Sequence, residues 1–578
     1  MSIRASVRAA ALALAALALA ACAAIPTEGP VNEGSGVVAT AAPFVPIAVG
    51  PRPGDGPEAI VSGFVEASAA GFSSDFSVAR EYLVGPAVTT WDPYKLVTVF
   101  DSGALTPEYT EETAVVTYDV PVSSSLDESG RMAEASDGTR QTLEFTMAQD
   151  PDGEWRIAEL EDGTILASAT FDRLFLDVGL TFATIDESTE VPEQRWLPIT
   201  KAPTLAAREL VEGPSPWLAP AVHTGFPSAS GLAVDSVVVT DGIAAVQLTP
   251  ESAGTPDERS LGEQQLRQTL KQIPGIEDVE VTVGGVPLGG DGSAALQPEP
   301  LPGANAAALV DGRLGVWDGE NLWATGDDVG HVPAGSRGVT QGYGAPVVAW
   351  VVDGSRIVVS DALRGGTASL QPHNVDAEAP EAQMEVTTVF TGSRLVDPSF
   401  DRHGWIWTSE SNDPSALSAF TTSGGSASLD VPWLRGSSVE GIAVSRDGAR
   451  IAVLSRSGGE QLLQVAGVVR GSDGTPLTLG EPLAVGADLG TAFDLVWVGS
   501  GQVGVLGDAE EDVANPLWVV EVGGLTTATT AVRDSVAITA RQGERSLLVT
   551  DGAAALFARS GSVWSQVAAG PTEVAYSG

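Results

Sequence analysis

Residues 347–359 read Val347-Val348-Ala349-Trp350-Val351-Val352-Asp353-Gly354-Ser355-Arg356-Ile357-Val358-Val359. Apolar strand formers stand on both sides of an Asp-Gly dipeptide, a strong short-range hairpin pattern. Val347–Trp350 is therefore expected to pair with Arg356–Val359. The same layout recurs in Ile442–Val444 with Arg450–Leu454, Leu495–Val498 with Gln502–Leu506, and Ala537–Thr539 with Ser546–Val549. Turn glycines Gly312, Gly354, Gly404, Gly448, Gly499 and Gly543 follow one another at 42, 50, 44, 51 and 44 residues. Periods of about 40–50 residues fit four-stranded propeller blades. Residues 309–578 are thus expected to form an all-β propeller, and six blades of about 45 residues fill that span. Seven blades result if 365–380 contributes strands, and a pair of β-sandwiches is the structural rival. Nine of the thirteen tryptophans fall in this half, where blade-on-blade packing would bury them.

The polar residues of this half have ordinary explanations. Asp353-Gly354 and Asp447-Gly448 suit turns, and Asp401-Arg402-His403 precedes the Trp405-Ile406-Trp407 strand, where a hairpin hydrogen bond outweighs a ligand role for His403. The run Asp508-Ala509-Glu510-Glu511-Asp512 lacks EF-hand spacing and reads as a solvated loop. No Gly-x-Ser-x-Gly elbow, His-Glu-x-x-His pair or Walker loop occurs.

Upstream lie two small α+β domains. In the first, 57–198, Ile60, Val61, Phe64 and Val65 share a helical face, a second helical signal runs to Leu83, and strands are expected at Leu96–Phe100, Thr113–Val120, Gln141–Met147 and Trp155–Leu160. Helices ahead of a curved antiparallel sheet suggest an NTF2-like cone, in which a ligand pocket is possible; Glu81, Asp92 and Asp101 are read as solvent-facing. In the second, 201–297, a helix over Leu205–Leu210 with Thr204 as N-cap precedes strands at Ser236–Val239 and Ala244–Leu248. A helix over Leu261–Ile273 and a strand through Val279, Val281 and Val283 follow.

The N-terminus carries Arg4 and Arg8, an unbroken Ala/Leu run from Ala9 to Ala21, then the only cysteine of the chain, Cys22. The run is too short for an ordinary membrane span and fits a signal peptide over 1–21. Leu19-Ala20-Ala21-Cys22 resembles the lipobox of bacterial lipoproteins. That resemblance implies S-diacylglycerol modification and N-acylation (palmitate or a similar acyl chain) of Cys22 after cleavage, with 22–56, rich in Pro, Gly and small residues, as a lipidated tether. An ordinary secretory peptide with a chance cysteine is the alternative. The 578 residues hold 75 acidic against 30 basic side chains, a net charge of -45, with only three lysines. Such a surface repels nucleic-acid phosphates, so no nucleic-acid partner is expected. One cysteine and four scattered histidines (His223, His331, His373, His403) leave no expected metal site, cofactor or catalytic centre.

The segments Glu209-Leu210-Val211-Glu212-Gly213-Pro214, Phe226-Pro227 and Gln265-Leu266-Arg267-Gln268-Thr269-Leu270 resemble the GerMN domain of extracytoplasmic envelope and spore proteins. Gln265 has a structural reading as well, a hydrogen bond to a nearby loop. Together with Val61-Ser62-Gly63-Phe64, Ala79-Arg80-Glu81-Tyr82-Leu83, Trp91-Asp92-Pro93, Arg195-Trp196-Leu197 and Glu212-Gly213-Pro214-Ser215-Pro216-Trp217-Leu218, the domain order resembles the LpqB lipoprotein family of actinobacteria. That resemblance implies a membrane-anchored extracytoplasmic accessory protein, not an enzyme. Its implied partner is the outer region of a two-component sensor histidine kinase (MtrB-like, of the MtrAB system), in cell-envelope homeostasis and cell division. The alternative is a cell-wall glycan-binding or glycan-processing propeller, which would place two facing carboxylates in an aromatic-lined channel.

Overall fold

The computed structural model describes residues 47–101, 105–289, 295–344, 347–363, 370–374, 383–411 and 416–578; the signal segment, Cys22 and most of the expected tether lie outside them. Helix α1 (Pro57–Gly71) opens on Pro57, whose missing N–H costs nothing in a first turn. It buries Ile60, Val61, Phe64 and Ala67, with Phe64 edge-on to Trp91 (5.0 Å) and Phe145 (6.1 Å). Only short helices α2 (Ser77–Arg80) and α3 (Ala87–Thr90) follow, because Phe76 takes a left-handed φ of 59° that interrupts the second helical signal.

The sheet beneath is built from β1 (Leu96–Phe100), β2 (Glu108–Thr110), β3 (Val115–Asp127), β4 (Met132–Glu134), β5 (Arg140–Gln149), β6 (Trp155–Glu159) and β7 (Thr164–Ala167). Its order is β6-β5-β3-β1-β7, with β2 and β4 beside β3. The expected antiparallel sheet is in fact mixed, since β1 and β7 run parallel.

Helix α4 (Ser168–Leu174) leads into the second domain: β8 (Phe175–Thr184), β9 (Glu190–Pro198), α5 (Ala202–Glu212), β10 (Val222–His223), β11 (Val238–Thr240), β12 (Ile243–Leu248), α6 (Pro256–Leu270), β13 (Asp278–Val283) and β14 (Val286–Pro287). Two sheets form, β10-β8-β9 and β11-β12-β13-β14, with α6 as the crossover between parallel β12 and β13. Residues 175–198, inside the expected bounds of the first domain, form the hairpin β8–β9. Its period-two residues Val178, Leu180 and Phe182 instead join Leu210, Leu266, Leu270, Val279 and Val281 in the second core. Hydrogen bonds lock it there: Thr181 N–H donates to Thr269 Oγ1 (2.9 Å) and Gly179 N–H to Gln272 Oε1 (3.1 Å). Helix α5 starts at Ala202, three residues before the expected Leu205. Thr204 is therefore inside it, and its hydroxyl accepts from Val237 N–H (2.9 Å) rather than capping.

The C-terminal half consists of six successive antiparallel sheets among the described residues, of four or five strands each. The first takes its last two strands from elsewhere. Leu370–Pro372, reaching back from the second sheet's excursion, forms its outer edge, and Pro571–Ala575 forms its inner edge beside Ala306–Val310. Of the stretch that raised a seventh blade, residues 370–372 thus pair into the first sheet. Innermost strands Pro571–Ala575, Ser336–Gln341, Ser399–Phe400, Ser438–Val444, Ala492–Gly499 and Ser535–Thr539 each contact the next, and the last contacts the first. Trp350 and Trp407 are fully buried, with their indole N–H groups donating to Ser336 Oγ and Asp401 Oδ2 (2.9 Å each).

Candidate functional site

Two places gather buried polar side chains: the seam where the three domains meet, and the axis of the six-sheet region. At the seam, β9 presents Glu193 and Arg195, both almost wholly buried and paired at 3.1 Å. Glu193 accepts from Ser215 N–H (3.0 Å) and Trp217 Nε1–H (3.1 Å), while Arg195 Nη2 donates to Ser215 Oγ (3.0 Å). The stretches around Arg195 and Ser215, far apart in sequence, therefore meet in one knot. Period-two alternation sends β9 residues 191, 193, 195 and 197 inward together, and Gly213, at φ 108°, turns the chain out of α5 so that Ser215–Leu218 can cross them.

The knot seats the second domain on the fourth sheet. Gly467 N–H donates to Trp217 O (3.3 Å), and a Cβ on Gly480 would lie 2.6 Å from that carbonyl. Further contacts extend the seam. Arg402 grips both oxygens of Asp186 (2.7 Å each) and Ser188 Oγ (3.1 Å). Trp196 Nε1 donates to Gly523 O (3.1 Å). From the first domain, Glu134 accepts from Thr526 N–H (2.9 Å), Thr526 Oγ1–H (2.6 Å) and Ala487 N–H (3.2 Å). The Arg402 guanidinium and the hydroxyls of Thr184 and Ser188 together hold the Asp186 carboxyl far below the usual range, against the opposing effect of burial.

Asp401 and Asp447 serve the turns of the third and fourth sheets. Asp401 accepts from His403 N–H and Trp405 N–H (2.9 Å each) and from Arg470 Nη2 (2.7 Å); Asp447 accepts from Ser445 Oγ–H (2.6 Å) and Ala449 N–H (2.8 Å) and pairs with Arg450. His403 is half-buried between these turns. Burial, then the guanidiniums of Arg470 and Arg402, pushes its imidazole down to about 4, so it is neutral at physiological pH. Asp353 and Gly354 both take positive φ (51° and 62°), as an Asp-Gly hairpin turn requires. Glu81, Asp92 and Asp101 are exposed, and Asp512 pairs with Arg533 at the surface (2.9 Å).

The axial channel has a volume of about 380 Å³ and is walled by all six innermost strands. Arg446, 2% exposed, is among its lining residues; it donates to Trp497 O (2.7 Å) and Ala540 O (3.1 Å) and pairs with Glu299 of the preceding connection (3.3 Å). Asp494 and Glu573 lie on the wall. Each reaches across to the next strand: Asp494 Oδ2 accepts from Ile538 N–H (2.8 Å) and Glu573 Oε2 from Val339 N–H (2.9 Å). Ser399 Oγ accepting from Val444 N–H (3.0 Å), Trp497 Nε1–H donating to Ala443 O (2.9 Å), Thr539 Oγ1 accepting from Tyr576 N–H (3.0 Å) and the Arg337–Asp397 pair do the same at the other four joins. Burial pushes the Asp494 carboxyl up to about 7, with Glu573 adding to the rise.

The cavity inside the first domain, about 30 Å³, holds no more than a water or two. Among the described residues no group of three or more His, Cys, Asp or Glu side chains could hold a metal ion, and no helix is long and apolar enough to cross a membrane.

Three family models match the chain in order: the LpqB lipoprotein N-terminal domain over 50–172, a sporulation and spore germination domain over 177–289, and the LpqB lipoprotein beta-propeller domain over 380–574. The second match begins inside β8, in keeping with the hairpin's place in the second core. Lipoprotein LpqB of Thermobifida fusca is 29% identical and covers 92% of this chain and 91% of its own; that of Cutibacterium acnes is 26% identical over 100% of both. The solved tandem GerMN domains of the sporulation protein GerM from Bacillus subtilis align with 25% of this chain and 58% of that one, at 15% identity and a TM-score of 0.17. LpqB and GerMN modules are regulatory or structural and carry no catalytic chemistry. With both LpqB modules flanking a germination-type domain in one chain, and relatives aligned from end to end, the chain belongs to the LpqB family of actinobacterial lipoproteins, membrane-anchored on the extracytoplasmic side.

Proposed function

We propose that the protein is anchored through lipid on Cys22 and acts as an accessory to a sensor histidine kinase of the MtrB type, binding the kinase's outer region in cell-envelope homeostasis and cell division. The observation that carries this reading is the seam. Residues that mark the family, Arg195-Trp196-Leu197 and Glu212–Leu218, are spent on joining the domains: Trp196 N–H donates to Gly130 O of the first (2.8 Å), and its Nε1–H to Gly523 O of the C-terminal half (3.1 Å). A body so locked presents a fixed surface to a partner, and rigid presentation avoids the ordering cost that weakens flexible binders. Two acyl chains on Cys22 would give the lasting anchorage that one chain does not.

The six sheets are read as a closed six-bladed propeller, supported by the cyclic contacts of the inner strands and by one polar bridge at each join. The first domain is read as NTF2-like from its helix-on-curved-sheet layout. The second reading, a glycan-binding channel, has Asp494 and Glu573 beside Phe493 and Tyr576 in its favour. Both carboxylates, however, are already held by the neighbouring strand's N–H groups, and Tyr576 is only 9% exposed. The sugar-stacking surface such a channel needs is therefore small.

Replacing Cys22 by alanine tests the anchor. Metabolic labelling with a radioactive fatty acid should mark the native chain and not Cys22→Ala, which should leave the membrane fraction. Crosslinking in intact cells should recover a sensor kinase with the native chain. Lipid label on the variant would refute the anchor, and failure to recover a kinase would refute the accessory role.

A further inference from the structure

A cleft of about 820 Å³ opens between the first two domains, bordering the seam at Trp196. Phe72 and Phe175 form its floor with the partly exposed rings of Tyr94 and Trp196, and Lys201 is held over the Tyr94 ring at 4.7 Å. Around it stand six carboxylates against two cations, Lys201 and Arg208. Asp127 and Glu128 are engaged by Arg131 and Lys95. Glu212 and Asp235 are exposed, and no hydrogen bond or ion pair holds either among the described residues.

One side of this cleft, residues 235–237, runs directly into β11. That strand pairs with β12 on one side and ends the sheet on the other. Two of its three residues are exposed valines, Val238 (58% exposed) and Val239 (39%), and Val234 just ahead of it is 50% exposed. Natural edge strands are normally blunted by shortness, lysine, proline or a covering segment; β11 is only three residues long and Val237 N–H beside it is held by Thr204 Oγ1 (2.9 Å), yet no lysine or proline guards its exposed valines.

We infer that the free edge of β11 and the adjoining cleft form one docking groove for an extended, lysine- or arginine-bearing segment of a partner protein. The segment adds as a strand to β11 through main-chain hydrogen bonds, sets an apolar side chain toward the aromatic floor, and brings basic side chains to Asp235 and Glu212. Charge selects this occupant. A second copy of the chain would bring another body of net charge -45 and another pair of free carboxylates to the same edge, and like-charge juxtaposition opposes that pairing. That the occupant is a protein rests on the accessory reading above.

The test uses the full chain in detergent and a fluorescein-labelled heptapeptide of alternating Lys and Val, with an alternating Glu and Val peptide as control. The Lys peptide should bind, weaken with added salt, and slow amide exchange at 238–240. Its affinity should fall about tenfold or more in Val238→Lys and in the double variant Glu212→Lys, Asp235→Lys, all at exposed positions. Equal binding of the Glu peptide, or unchanged affinity in both variants, would overturn the groove. So would a concentration-dependent dimer that Val238→Lys abolishes, which would assign the edge to a second copy. Capture of the kinase's outer region separates the two readings. Capture by the native chain that survives both variants sinks the groove and leaves the accessory role. Peptide binding at β11 without capture does the reverse.

Discussion

Asp494 sits in the innermost strand Ala492–Gly499, with one carboxylate oxygen on Ile538 N–H (2.8 Å) and the other on Leu495 N–H (2.9 Å). Burial raises its carboxyl from 3.8 to about 7. Between those values the folded chain holds a proton that the unfolded chain has lost, so this group's contribution to stability falls as pH rises, and the penalty is complete above about 7. Asp494→Asn removes the titration and keeps one acceptor. Relative to the native chain, the variant should therefore gain on the order of 4 kcal/mol between about pH 4 and pH 8, as read by urea melts at each pH. A stability difference that stays level across the range would remove the titration from this residue. The same side chain marks the limit of what could be read beforehand. Asp353 announced its turn by the glycine that follows it, whereas Asp494 is one of 75 acidic residues with no neighbour to distinguish it. Only the approach of a strand more than forty residues away gives its carboxylate a task.

Elements with a local cause were largely legible. The strand at Leu96–Phe100 lies where its apolar run predicted, and β12, β13 and the hairpins around Asp353, Gly448 and Gly499 follow their alternation. Helix α6 was expected from Leu261 because its apolar face starts there, yet it begins at Pro256. The reason was present as Thr255-Pro256-Asp257-Glu258: Thr255 Oγ1 accepts from Glu258 N–H (3.2 Å) while Glu258 Oε2 accepts from Thr255 N–H (2.7 Å), a capping box with proline in the first turn. Thr255→Ala breaks the first of these bonds and frees the helix start, and should cost about 1 kcal/mol in chemical denaturation. An unchanged midpoint would show that packing against β8 alone holds the first turn. The hairpin β8–β9 was not legible in the same way, because which core it faces depends on Thr269 and Gln272, some 90 residues on.

The three domains were legible as separate units from composition and pattern; their union was not, because nothing local in Glu134, Arg402 or Gly480 points to a distant domain. Gly480 makes the union testable. Its backbone is extended enough for any residue, and its own ladder partner, Gly467 O at 2.8 Å, would accept a side-chain-bearing donor equally well. What excludes a side chain is Trp217 O, 2.6 Å from where a Cβ would stand, and a backbone carbonyl cannot rotate aside as a flexible side chain can. Gly480→Ala must therefore push Trp217 and the Glu193–Arg195–Ser215 knot away from the fourth sheet. Trp217 also belongs to the apolar cluster that joins Leu210 and Leu266 of the second domain to Leu454, Leu463 and Trp497 of the fourth and fifth sheets, so its displacement loosens that shared core together with the polar seam. Calorimetry should then resolve two transitions where the native chain shows one, and the radius of gyration from solution scattering should rise. If the kinase is bound by a surface shared between domains, its capture should weaken in the same variant, although Gly480 itself lies beneath the seam. If the variant melts in one transition at the native temperature, the second domain tolerates displacement from the fourth sheet. The seam then does not set the shape the partner meets.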